Sequence, residues 1–211
     1  MAEHKGTALT AVRGQCQELL RTVYPPDGRR MVFGQGDPDS PIVLVGEAPG
    51  AEEEAQGLPF VGKAGQNLTE FLEHLNLPRE RLYITNVVKF RPYKVHPRTG
   101  SRSNRPPTRE EIELCFHFLR REMEIIRPKV VVTLGNVALK AVRDDRAAVI
   151  GACHGQPLPC ALGETAFHLF PLYHPASIIY NRALAEVYRQ DLDALGAFLT
   201  ETGVKPGEAR P

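Results

Sequence analysis

Four stretches of the sequence end in groups able to hold a polar ligand. Glu47 in "VGEAPG" supplies a carboxylate, Asn86 in "YITNVV" an amide and His174 in "LYHPAS" an imidazole, while Gly135 in "VTLGN" makes a small backbone turn. Taken singly, each has a structural explanation: an amide can satisfy a backbone group at a strand end, a histidine before proline can be scaffold, and glycines make turns. Their convergence is what points to a site. The loop "VGEAPGAEEEAQGLPFVGKAG" sharpens the question, because its glycines suit a phosphate while Glu47, Glu52, Glu53 and Glu54 would repel one. The same loop carries Phe60, an aromatic side chain with the look of a buried residue.

These groups need strands to position them. Each follows an apolar, β-branched or aromatic run, "PIVLVG", "RLYITNVV", "KVVVTLG" or "AFHLFPLYH", and helical stretches lie between the runs. That alternation implies right-handed βαβ units and predicts an α/β fold, a three-layer αβα sandwich around a central four-stranded parallel sheet. In such sheets ligands bind beyond the carboxyl ends of the strands, so the four loops are predicted to share one rim. A helix is expected over about 8–22, before a "PPDG" loop, and a last one from about Ala183 to Leu199, with a frayed tail over about 201–211. The best-defined helix opens at Thr108 with Glu111 as a capping box, places Ile112, Cys115, Leu119, Met123 and Ile126 on one face, and stops before Pro128.

Between Lys89 and Arg109 the stretch "KFRPYKVHPRTGSRSNRPPTR" holds no acidic residue. Its Pro, Gly and Ser content predicts an extended loop leaving the same rim, where Lys89, Arg91, Lys94, Arg98, Arg102 and Arg105 would contact nucleic-acid phosphates without reading sequence. Across the whole chain the charges nearly cancel, with 26 Lys plus Arg against 25 Asp plus Glu, so any nucleic-acid surface must be local. The 211 residues, 42% of them hydrophobic, suffice for one core, and a single domain is expected. With no apolar run long enough to span a bilayer and no apolar leader, the expectation is a soluble, cytoplasmic protein without membrane association and with reduced cysteines.

Together, "GEAPG", "GLPFVGKAG", "ITNVVKFRP", "RPKVVVTLG" and "YHPAS" resemble the uracil-DNA glycosylase superfamily, closest to its family 4, in consistent order from about Val32 to Leu195. The resemblance implies a monomeric enzyme that hydrolyses the N-glycosidic bond of a uracil flipped out of DNA, leaving an abasic site. It implies that Phe60 stacks on the base, that Asn86 pairs with uracil O4 and N3 and that His174 donates to O2 as negative charge builds there. Gly46 and Ala48 would shape the base pocket, with Ala48 standing where the best-known branch has an aspartate. Glu47 is then assigned to the attacking water or the sugar cation, and Glu53 to a supporting role. "HPASIIYNR" resembles the minor-groove loop, with Ile178 or Ile179 as wedge and Arg182 on a phosphate.

Family 4 also implies a four-iron, four-sulfur cluster on four cysteines, two of them close together near the N-terminus, one in a "KCRP"-like segment and one on the following helix. Here Cys115 takes the helix position, Phe90 stands at the third, and Cys16 has no CxxC partner, while Cys153 and Cys160 have no counterpart. The expectation is therefore an enzyme with no cofactor and no metal. Two alternatives stay open. One is a non-catalytic or covalently trapping uracil-DNA binder using His96; the other is a nucleotide enzyme, which the run of glutamates disfavours.

Overall fold

A computed structural model describes residues 2–24 and 29–205. The "PPDG" loop and residues 206–211 of the expected tail lie outside the described residues. Among the described residues, seven α-helices and eight β-strands follow in the order α1 (Ala2–Val23), β1 (Gln35–Gly36), β2 (Ile42–Gly46), α2 (Ala51–Gln56), α3 (Lys63–His74), β3 (Tyr83–Asn86), β4 (Tyr93–Val95), β5 (Arg102–Asn104), α4 (Arg109–Ile126), β6 (Val130–Leu134), α5 (Asn136–Arg143), β7 (Leu158–Leu162), β8 (Thr165–Leu172), α6 (Ser177–Tyr180) and α7 (Leu184–Glu201).

The central sheet has six strands in the order β1-β3-β2-β6-β8-β7, not four. The four expected strands form its parallel middle, and β1 and β7 add antiparallel edges. Both edges escape the apolar-run criterion for a physical reason. β1 is two exposed residues long, and β7, "LPCAL", carries Pro159, which an edge strand tolerates because it need not donate on both sides. A two-residue turn at Gly163 and Glu164 joins β7 to β8.

The pleat sorts the sheet residues onto two faces. Val43, Val45, Tyr83, Val131 and Leu169 pack against Val12, Cys16 and Leu20 of α1 and against α4 and α5. Ile42, Leu44, Ile84, Val132 and Phe170 pack against α3 and α7. This is the expected three-layer arrangement. Helix α1 begins at Ala2, six residues before the expected start, because "EHKG" shows no apolar periodicity; Lys5 there pairs with Asp39 at 2.8 Å. The Thr108–Glu111 capping box is formed, and α4 ends on Arg127 in the left-handed conformation, just before Pro128. Among the described residues no helix is long and apolar enough to cross a membrane.

Candidate active site

The parallel register fixes where the functional groups emerge. Gly46 lies opposite Asn86, so β2 and β3 deliver Glu47 and Asn86 side by side at the carboxyl rim. Val87 N–H donates to the Gly46 carbonyl at 2.9 Å and Val88 N–H to that of Glu47 at 3.0 Å, locking the two strand exits together. Leu134 and Leu172 end β6 and β8 in register, and His174 follows two residues later. Gly135, at φ +91°, packs against that histidine so closely that an added Cβ would stand 3.1 Å from its Cβ. Three of the four loops thus meet at a cleft of about 800 Å³ lined by Glu47, Ala48, Phe60, Asn86 and His174, with Asn104 and Ile179 also in its wall, while Gly135 backs His174 without lining the cleft.

Phe60 is 6% exposed and its ring stacks on His174 at 6.1 Å between centroids and 30° between planes. Its backbone lies at φ +54°, a left-handed conformation that costs a side-chain-bearing residue about 1–2 kcal/mol. Arg79 holds it there, donating to the carbonyls of Pro59 at 2.7 Å and Phe60 at 2.9 Å. The ring reaches the rim only because position 46 is glycine: a Cβ there would lie 2.4 Å from both the Phe60 ring and Asn86 Oδ1. Asn86 is 3% exposed, and its side-chain amide has no hydrogen-bond partner among the described residues. The amide opens onto the cleft, and a ligand that shuts it off from solvent recovers the cost only by pairing with it.

Two carboxylates in the acidic loop have separate tasks. Glu53 accepts backbone N–H groups from Gly50 at 3.1 Å, Val61 at 3.0 Å and Gly62 at 2.8 Å, so it fastens the loop that carries Phe60. The Glu47 carboxylate faces the cleft without a hydrogen bond or ion pair to any described residue, and burial pushes it above the ordinary carboxylate value. His174 accepts the Ala176 N–H at Nδ1, 3.1 Å away, which assigns the proton of the neutral ring to Nε2. Burial lowers its pKa from 6.5 to about 4, with the charge of Glu53 partly offsetting, so the ring is a neutral donor at physiological pH.

An unpaired amide, a neutral imidazole donor, an unpaired carboxylate and an aromatic plate make a pocket for a flat polar molecule. Residues 33–195 match the family model described as the uracil DNA glycosylase superfamily. The chain belongs to that superfamily. It is 39% identical over 175 residues to a type-4 uracil-DNA glycosylase of Thermotoga maritima, covering 82% of this chain and 85% of the relative. Identity to the type-4 enzyme of Archaeoglobus fulgidus is also 39%, over 168 residues, 78% of this chain and 80% of the relative. A type-5 uracil-DNA glycosylase of Pyrobaculum aerophilum is 33% identical over 74% of this chain and 72% of its own.

The basic stretch differs from the sequence expectation. It is not an extended loop but a hairpin, β4 paired antiparallel with β5, and several of its cations are committed. Lys89 is fully buried and paired with Glu122, so it cannot contact a phosphate. Arg91 donates to Asn104 Oδ1 at 2.7 Å and pairs with Glu54 at 3.2 Å, and Arg105 makes a two-pronged pair with Glu111 at 2.7 Å on each side. The acids that neutralise them come from α2 and α4, outside the stretch. Lys94, Arg98 and Arg102 remain exposed, Arg102 lying over the Tyr93 ring at 4.4 Å. Of the proposed wedge residues, Ile179 is exposed in the cleft wall, whereas Ile178 packs against the α3–α7 core; Arg182 is exposed. His96 sits at the hairpin tip, its Nδ1 facing the backbone N–H groups of Arg98 and Thr99 at 3.3 Å, and is not among the cleft-lining residues.

Three contributors gave no sequence signal. Asn104 lines the cleft, and because Arg91 can only donate, its Oδ1 faces Arg91 and its NH2 is left for other acceptors. Arg79 holds Phe60, and Asn67 of α3 donates to the Pro175 carbonyl at 2.9 Å, steadying the His174 loop. Each lies far in sequence from the group it supports, so no local pattern marks it. The cluster implied by family 4 does not fit the residues present. Cys16 and Cys115 are buried neighbours whose thiols burial pushes up, and Phe90 fills the third position, packed on Tyr24 at 5.0 Å with Arg29 over both rings.

Proposed function

We propose that this chain is a uracil-DNA glycosylase of the type-4 kind, a single-domain, monomeric hydrolase that starts base excision repair by releasing uracil from DNA. The observation that carries the reading is the meeting of Phe60, Asn86, His174 and Glu47 in one cleft at the strand ends. A base inside a duplex is unreachable, so the target uracil swings out of the stack and enters the cleft, where its face lies on Phe60. The Asn86 amide pairs its NH2 with uracil O4 and its carbonyl with N3–H; cytosine reverses both groups and leaves the amide mispaired, at about 1–3 kcal/mol for each unmet group.

As the C1′–N1 bond breaks, its electron pair moves onto the base and charge gathers at O2, where the Nε2–H of His174 is poised to donate. The neutral ring suits a donor that stabilises an anion without passing on its proton. Glu47 faces the sugar, which turns cationic, and orients the water whose oxygen bonds C1′; the proton released by that water balances the one the departing base takes up. Lys94, Arg98, Arg102 and Arg182 hold phosphates, and Ile179 fills the space the base leaves. No resident cofactor takes part in this scheme. The trapping alternative is not favoured, since His96 lies at the exposed hairpin tip.

The test is release of free uracil from uracil-containing oligonucleotides without added metal. Release that disappears in His174→Ala and Asn86→Ala supports the reading, and no release from either single- or double-stranded substrate overturns it.

A further inference from the structure

Lys89 has no place in the chemistry above, yet it is among the largest fully buried side chains. Its ammonium donates to Thr85 Oγ1 at 2.7 Å, to the Asn86 carbonyl at 2.8 Å and to Glu122 Oε2, which uses all three of its hydrogens. Glu122, reaching across from α4, also accepts from Tyr83 Oη at 3.0 Å and from Thr85 Oγ1 at 3.0 Å. The network lies on the α1–α4 face of β3, whereas the Asn86 side chain opens toward the cleft. The N–H groups just past Asn86 are taken by the Gly46 and Glu47 carbonyls, so Lys89 closes the remaining side of that turn.

Stability alone is a weak reason for such a pair, because a buried ion pair often contributes no more than apolar residues of the same volume. The geometry points to Lys89 and Glu122 as positioning residues for base recognition, gripping the Asn86 peptide from behind and so holding its side-chain amide in the pose that separates uracil from cytosine. The inference rests on the reading of Asn86 as the base-pairing amide. A charge-assisted bond to the Asn86 carbonyl resists rotation of that peptide, and the peptide sets the direction from which the side chain leaves.

The test uses the double variant K89M/E122Q, which removes both charges together, keeps an acceptor for Tyr83 and Thr85, and deletes the grip on Asn86. Because the network is buried, KM for a uracil-containing single strand should stay within about twofold of the parent, while kcat falls about tenfold or more, as expected when a reacting partner shifts by a fraction of an ångström. The preference for uracil over cytosine should narrow with it, and the thermal midpoint should stay near the parent's. A folded double variant with parental kcat and preference overturns the inference. If the double variant does not fold, Glu122→Gln alone decides, since it keeps the ammonium but loosens its anchor: lowered kcat at unchanged KM supports the inference, and parental kcat overturns it. Asn86→Asp, run in parallel, separates the two claims. Parental preference in N86D defeats the reading of Asn86 itself, whereas lost preference in N86D with parental preference in K89M/E122Q defeats only the positioning role.

Discussion

Two walls of the cleft use charge in opposite ways. The acidic loop between β2 and α3 turns Glu53 inward onto three backbone N–H groups and leaves Glu47 facing the cavity, so its charge shapes and polarises the pocket. The basic hairpin of β4 and β5 spends Arg91 and Arg105 on pairs that fix its base, and carries Lys94, Arg98 and Arg102 into solvent. The lesson is that formal charge says little about a role until its partners are known. Desolvated charge sets geometry and chemistry, whereas exposed charge sets the approach of a polyanion.

The contrast breaks most severely at Gly46. Gly46→Ala pushes a methyl group into both the Phe60 ring and the Asn86 amide, and kcat/KM for uracil release should fall about a hundredfold or more. Hairpin-dependent DNA binding, read by fluorescence anisotropy, should change little. Glu53→Ala attacks the same wall through its fastening and leaves three backbone donors without their acceptor. A loss of about 2–4 kcal/mol in chemical denaturation is expected, with Glu53→Gln recovering part of it.

On the other wall, Arg91→Ala should cost about 1–3 kcal/mol, because it strands Glu54 and releases Asn104. Replacing Lys94, Arg98 and Arg102 together by Gln should leave kcat unchanged and lower the thermal midpoint only slightly, through the lost contact of Arg102 with Tyr93. Binding to single-stranded DNA should weaken, and its logarithmic salt slope should shrink by about 2, close to the 0.7 per lost phosphate contact expected for single strands. A triple variant with parental salt dependence would remove the hairpin from the DNA interface.

The smallest effect is set by pH. The pKa of His174 is 6.5 in its ordinary state and about 4 in the fold, so the unfolded chain binds more protons between those values. Folding stability should therefore fall as pH drops from 6.5 toward 4 and level off below, and His174→Gln should flatten that window. Glu47 has the opposite sign: its carboxyl is raised, so burying it opposes folding as pH rises past the ordinary carboxylate value.

Much of this architecture was legible in the sequence because it is written locally. The four parallel strands, the α4 capping box and the rim positions of Glu47, Asn86 and His174 follow from short patterns and one topological rule. What escaped was held by distant partners. The edge strands β1 and β7 exist because β3 and β8 offer a free side, and Lys89, Arg91 and Arg105 changed meaning once Glu122, Glu54 and Glu111 came into reach. An uninterrupted basic stretch is a statement about neighbours in sequence, and ion pairs form between neighbours in space.

The hydrogen bond from Asn67 to the Pro175 carbonyl has a mechanical consequence. Helix α3 begins three residues after Phe60, and the same helix clasps the loop that carries His174, so plate and imidazole hang from one strut. A shift of either is passed to the other, so the spacing of plate and imidazole is set by α3 and not by the hairpin opposite.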